Sequence, residues 1–173
     1  LLGRGALTVA LARSRKESGE RAESAVKAGG FVLAWLPVVL WAAFIFFMSA
    51  HTGDDLSHGD GFFSLVKRWL SDVQAAVLGP GVDLVSSLGH FCEYLVFGAL
   101  LTRAVGVDRE RSLAVAFAAA VIAASAYGVT DELHQLFVPG RMCDPADWLV
   151  DTVGAAMGSL LWIAFSRTRG RAS

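Results

Sequence analysis

The stretch FVLAWLPVVLWAAFIFFMS, from Phe31 to Ser49, carries no charged side chain. At about 1.5 Å of rise per residue, such a segment as a helix matches the ~30 Å hydrocarbon core of a bilayer. Pro37 does not forbid this reading, since neighbouring groups can re-satisfy the freed carbonyl in a spanning helix. Three more apolar stretches of similar length follow, at about Leu88 to Val105, Ser112 to Thr130 and Ala146 to Phe165. The third is rich in alanine, which predicts a closely packed helix.

The whole composition agrees. Of 173 residues, 54% are hydrophobic and only 18% charged, against about 25% charged in soluble domains. The mean hydropathy is +0.52, which excludes an ordinary soluble globule and a disordered chain. A net charge of -1 gives no electrostatic case for nucleic-acid binding. Cys92 and Cys143, the only two cysteines, are too few for a disulfide scaffold and lack zinc-type pairing. The expected fold is therefore all-α: a polytopic bundle of four transmembrane helices. Its partner is the lipid bilayer.

Between the first two spans, Phe62, Val66, Trp69, Val73 and Val77 recur at helical spacing, with Lys67, Arg68, Asp72 and Gln74 elsewhere on the wheel. This predicts an extra amphipathic helix in the first outer loop, either lying on the membrane surface or covering the bundle. Residues 1–30 are polar and mixed in charge and read as a disordered tail. Their weakly apolar part precedes the basic cluster, the reverse of a signal peptide. Residues 31–166 form the membrane domain, and 167–173 a short basic tail.

Lys and Arg in the flanks set the orientation. Four spans place the amino terminus, the 106–111 loop and the carboxyl terminus on one side. That side holds Arg4, Arg13, Arg15, Lys16, Arg21, Lys27, Arg103, Arg109, Arg111, Arg167, Arg169 and Arg171; the other holds Lys67, Arg68 and Arg141. Both termini are therefore expected in the cytoplasm.

This topology collects polar residues. Ionisable groups within spans are costly and are functional candidates by default. His90 and Glu93 start the second span, Asp131, Glu132, His134 and Gln135 lie at or just past the end of the third, and Asp147 and Asp151 start the fourth. All fall at one depth near the outer surface. His90 and Glu93 share a helical face, as do Asp131 and Gln135 with Tyr127 one turn below. Asp147, Asp151, Gly154 and Gly158 form one stripe, and a Gly-x-x-x-Gly face allows close helix approach. Asp144-Pro145 also reads as a helix start, with Asp144 as cap and Asp147 in the capping-box place. Arg141 is the one external cation between the acid clusters, a strut or an anion contact.

The same residues carry a resemblance. Gly89-His90-Phe91-Cys92-Glu93-Tyr94, then Tyr127 through Arg141 (YGVTDELHQLFVPGR), then Asp147-Trp148-Leu149-Val150-Asp151-Thr152-Val153-Gly154, resemble the VanZ-like family of small bacterial membrane proteins in block order and spacing. Asp151 stands where that family usually has Asn. The resemblance implies a multi-pass protein, with a link to teicoplanin-type glycopeptide resistance. Tyr94, Tyr127 and Arg141 are the candidate substrate contacts.

Two functions compete. His90, Glu93, Asp131, Glu132, Gln135, Asp147 and Asp151 could form a catalytic or recognition site for lipid-linked envelope precursor, other cell-envelope material or glycopeptide, with a divalent metal as a conceivable cofactor. Alternatively, the acids form a structural ion network. Clustering at one surface, not at the midplane, disfavours a proton-coupled transporter. The topology has a direct check. Reporter fusions at residue 30, within 106–111 and at residue 168 should read cytoplasmic, and one near residue 60 should read external; an external signal at either terminus overturns it.

Overall fold

A computed structural model describes residues 3–50, 62–78, 84–106, 112–139 and 143–172. Among these residues there are five helices and no strand: α1 (Gly3–Ser49), α2 (Phe62–Leu78), α3 (Leu84–Val105), α4 (Leu113–Gln135) and α5 (Pro145–Ala172). All but α2 are long and apolar enough to cross a membrane. The four-helix membrane bundle expected from the sequence is the observed one. Large apolar side chains such as Val39, Phe47, Ile122, Val153 and Leu160 point outward, as lipid-facing positions should when the surrounding solvent is hydrocarbon.

Two boundaries differ from the sequence reading, each for a physical reason. Residues 3–30, read as a disordered tail, continue α1 as one helix of 47 residues. Once the apolar half is helical the costly nucleation step is already made, and ion pairs one turn apart, Arg13–Glu17 at 3.0 Å and Glu23–Lys27 at 2.8 Å, decorate the extension. The third span does not end near Thr130; α4 runs on to Gln135, so Asp131, Glu132 and Gln135 are helical and inward-facing. Ser112 caps its start, accepting from Val115 N at 3.2 Å, which is the usual role of a serine there. Helix α5 starts at Pro145, where the missing N–H costs nothing, and Asp144 caps it by accepting from Ala146 N at 2.8 Å.

The centre of the fold is the contact between α3 and α5. A side chain on Gly98 would collide with the backbone of Ala155, and one on Gly158 with the backbone of Leu95; one on Gly154 would stand 2.6 Å from the Phe91 carbonyl oxygen. Pairing 91 with 154 and 95 with 158 makes the two helices parallel, backbone against backbone. Helix α4 adds a stripe of buried small residues at every fourth position, Ala116, Ala120, Ala124 and Gly128. Helix α1 is pinned by its neighbours: the Trp41 indole donates to the Glu93 carbonyl at 2.9 Å, and Tyr127 donates to the Ala42 carbonyl at 2.7 Å. These bonds matter because lipid cannot replace them.

Helix α2 touches only α3 among the described helices, where the Gln74 side-chain oxygen accepts from Val85 N at 2.8 Å. Leu65, Val66, Trp69, Val73 and Val77 remain exposed, an apolar face suited to a membrane interface.

Close packing predicts asymmetric glycine tolerance. Gly158→Ala should destabilise the detergent-solubilised protein by about 1–3 kcal/mol or more, as forced overpacking does. Gly29→Ala, with nothing within 4 Å of the added carbon, should leave thermal unfolding unchanged or slightly improved. Equal melting temperatures for the two would remove the α3–α5 contact from the account.

Candidate functional site

Register along the α3–α5 contact places the first two groups. His90 precedes Phe91, and Asp151 lies three residues before Gly154, so the backbone pairing of 91 with 154 brings them face to face. Each is the seventh residue of its helix. His90 Nδ1 and Asp151 Oδ1 are 3.2 Å apart. Below His90 on the same face, Tyr94, Phe97 and Leu101 are buried at helical spacing, which locks the face inward. Gly128 of α4 makes room opposite: a side chain there would stand 3.3 Å from the Trp148 ring, 3.4 Å from Asp151 Oδ2 and 3.6 Å from the Tyr94 ring.

One turn past Gly128, α4 supplies Asp131, Glu132 and Gln135. These residues are enclosed: relative exposure is 7% for His90, 3% for Asp131 and Glu132, 1% for Gln135 and 0% for Asp151. Glu132 Oε2 accepts from Asp144 N at 2.7 Å, tying the carboxylate to the start of α5. Asp131 Oδ2 accepts weakly from Gln135 Nε2 at 3.4 Å. Glu132 Oε1 and Asp151 Oδ2 have no hydrogen-bond partner, and Asp131 has the Ser49 hydroxyl beside it. His90, Glu132 and Asp151 each present one donor atom, and these atoms lie within 4.8 Å of one another. The three sequence blocks thus meet at one point.

Other residues singled out from the sequence occupy different places. Glu93 and Asp147 are half-buried and lie outside the His90–Glu132–Asp151 group. Tyr94 is fully buried, with its hydroxyl unpartnered, and so faces the pocket as a contact could. The Tyr127 hydroxyl is engaged by the Ala42 carbonyl, which gives that residue a bracing role. Arg141 lies outside the described residues. Cys92 and Cys143 are free and exposed. Partial desolvation and the nearby Glu132 carboxylate push the Cys143 thiol above its ordinary range, which leaves little thiolate for nucleophilic chemistry.

One residue escapes the sequence reading, and a second, His134, has no role in it. Ser49, the last residue of α1, is 5% exposed with its hydroxyl beside the Asp131 carboxylate. His134 stacks on Phe46 with ring centroids 4.3 Å apart, and its Nε2 is also buried and unpartnered. Ser49 ends the first span on the side where the other three blocks lie, so the depth argument could have reached it.

Chemically, the pocket holds three buried carboxylates around one imidazole, and among the described residues none of the three pairs with a lysine or arginine. Burying charge without compensation costs several kcal/mol per ion. The arrangement suits a proton, a cation or a cationic group. No curated protein and no solved structure matches this chain. The family model described as VanZ/LLP1 matches residues 34–166, a range that contains all four spans' apolar cores and every residue of the pocket, and the chain is accordingly a multi-pass membrane protein of the VanZ/LLP1 family.

Proposed function

We propose that this protein acts at the outer face of the membrane on cell-envelope or lipid-linked material, using the His90, Asp131, Glu132 and Asp151 pocket for acid–base chemistry. The observation that carries this reading is the unpartnered oxygen on two buried acids, Glu132 and Asp151, beside a single imidazole. A purely structural network would satisfy its own members, because a half-satisfied one is worse than an apolar core.

Depth favours a lipid-linked substrate. His90 and Asp151 sit six residues beyond the first residue of their helices, roughly 9 Å along the axis. That is the level of a head group and its linkage to the chains. The basic asymmetry of the flanks puts this end outside. With Nδ1–H donated to Asp151, His90 keeps Nε2 as the proton acceptor, the arrangement in which a carboxylate orients an imidazole base. Glu132, held by the Asp144 amide, is placed to return a proton. Glu93, Gln135, Asp147 and Tyr94 surround these groups as polar contacts, and Arg141 supplies the cation for an anionic head group. Glycopeptide resistance of the teicoplanin type is the phenotype through which the activity is read.

The test is neutralisation. In a susceptible bacterial host expressing the protein, Asp131→Asn, Glu132→Gln and Glu93→Gln should each abolish any gain in teicoplanin tolerance. Membrane yield and melting temperature, measured without added ions, should stay the same or rise. Loss of yield or of melting temperature in these variants would instead identify a structural network, and stable variants with full tolerance would remove the pocket from the function.

A further inference from the structure

We infer that His90, Glu132 and Asp151 form a binding site for one divalent first-row transition ion. The inference deepens the reading of the pocket as a working site and rests on it for the ion's role in activity, though not for binding itself.

Three separate helices contribute one donor each, and the donor atoms lie within 4.8 Å of one another. Metal–nitrogen and metal–oxygen bonds of about 2.0–2.2 Å put two ligands of one ion at most roughly 4.4 Å apart. A contraction of a few tenths of an ångström therefore brings the set onto an ion.

One feature beyond the clustering of acids points to a ligand. Glu132 Oε1 and Asp151 Oδ2 are buried and have no partner in the protein, although their residues are 3% and 0% exposed. Each acid also has its other oxygen held, Glu132 Oε2 by the Asp144 amide and Asp151 Oδ1 against His90. Such outer hydrogen bonds orient metal-ligating carboxylates. Charge agrees in sign, because the three buried carboxylates Asp131, Glu132 and Asp151 beside one imidazole leave an excess of negative charge that a dication offsets. The donor set selects the class: imidazole with two carboxylates suits Zn²⁺ or Mn²⁺, whereas Ca²⁺ takes six to eight oxygens. Three protein donors leave a position open for water or a substrate oxygen, as in reactive zinc sites.

The test uses the full chain in detergent, stripped with chelator and then equilibrated with Zn²⁺ alone or Mn²⁺ alone. Elemental analysis after dialysis should find one ion per chain, with a higher melting temperature than the stripped protein. Glu132→Gln and Asp151→Asn, both near-isosteric, and His90→Ala should each weaken binding at least tenfold. Asp147→Asn removes the same charge from α5 without removing a donor and should change binding less than threefold. Size-exclusion profiles identify any variant that fails to fold, and the remaining two donors then decide. Sub-stoichiometric ion in folded wild-type protein overturns the proposal. So does an Asp147→Asn loss equal to that of Asp151→Asn, which would mean diffuse attraction. The two readings fail separately. Bound ion with full teicoplanin tolerance in all three donor variants refutes the proposed function and keeps the site. Lost tolerance with no ion in the wild type does the reverse.

Discussion

The geometry of this protein depends on two parallel helices touching at the backbone. Gly98 on α3 and Gly154 and Gly158 on α5 carry no side chain where one would strike the neighbouring helix. Between helices in lipid, the hydrophobic effect offers no net attraction, so close van der Waals contact and interhelical hydrogen bonds must hold them. Ser159 shows the gain from such proximity. Its hydroxyl reaches the Gly98 carbonyl across the interface at 3.2 Å as well as the Ala155 carbonyl of its own helix at 2.8 Å. A contact that close has little freedom of register. Shifting α5 by one residue would turn Asp151 about 100° away from His90 and bring Cβ atoms into the seam.

From that seam the polar site follows with few further choices. Helix α4 lays a strip of alanines and Gly128 along the pair, so its own backbone comes near enough for Asp131, Glu132 and Gln135 to reach the same point. Helix α1 closes the remaining side through Trp41 and the Tyr127–Ala42 bond and ends there with Ser49. Stability and site are therefore in tension. The glycines and alanines gain contact by being small, and the same approach forces three acids into a space where water is scarce. Unpaired polar groups in such surroundings are costly, which is why their retention supports a functional reading over a structural one.

Much of this was legible in the sequence, and the legible parts share a cause. Spans are read from length and polarity because the bilayer imposes a thickness, and the meeting of the three blocks followed from counting crossings. The Gly154/Gly158 stripe predicted which face of α5 turns inward, and with it Asp151. What stayed hidden depends on neighbours. The continuation of α4 through Asp131 and Glu132 is invisible to hydropathy, because charged residues end an apolar run whether or not the helix continues. The helical state of residues 3–30 comes from continuity with α1, while its composition alone reads as unstructured. Tyr127 looked like a substrate contact because it lies on the stripe of Asp131; only the position of Ala42 shows that its hydroxyl is engaged. His134 lies within the block that ends the third span, but nothing in its spacing separates it from a solvated residue, and its stacking on Phe46 joins residues far apart in sequence.

The two ends of the α3–α5 pair differ in a way that bears on the class of function. Toward the end opposite the pocket, polar side chains are satisfied within the bundle: Thr102 donates to the Gly98 carbonyl at 2.8 Å, Ser159 is doubly engaged, and Leu101, Ala104 and Ala155 are buried around them. Arg103 sits half-buried at that far end, where a long cationic side chain reaches the interface by extending along the helix. Polar groups lacking partners gather at the other end, within a few turns of the starts of α3 and α5. A carrier built for alternating access places its site near the midplane, between halves that rock about it. Here the unpartnered acids lie near one surface, above a tightly packed half that holds them in register. That asymmetry fits the proposed one-sided site better than a midplane carrier.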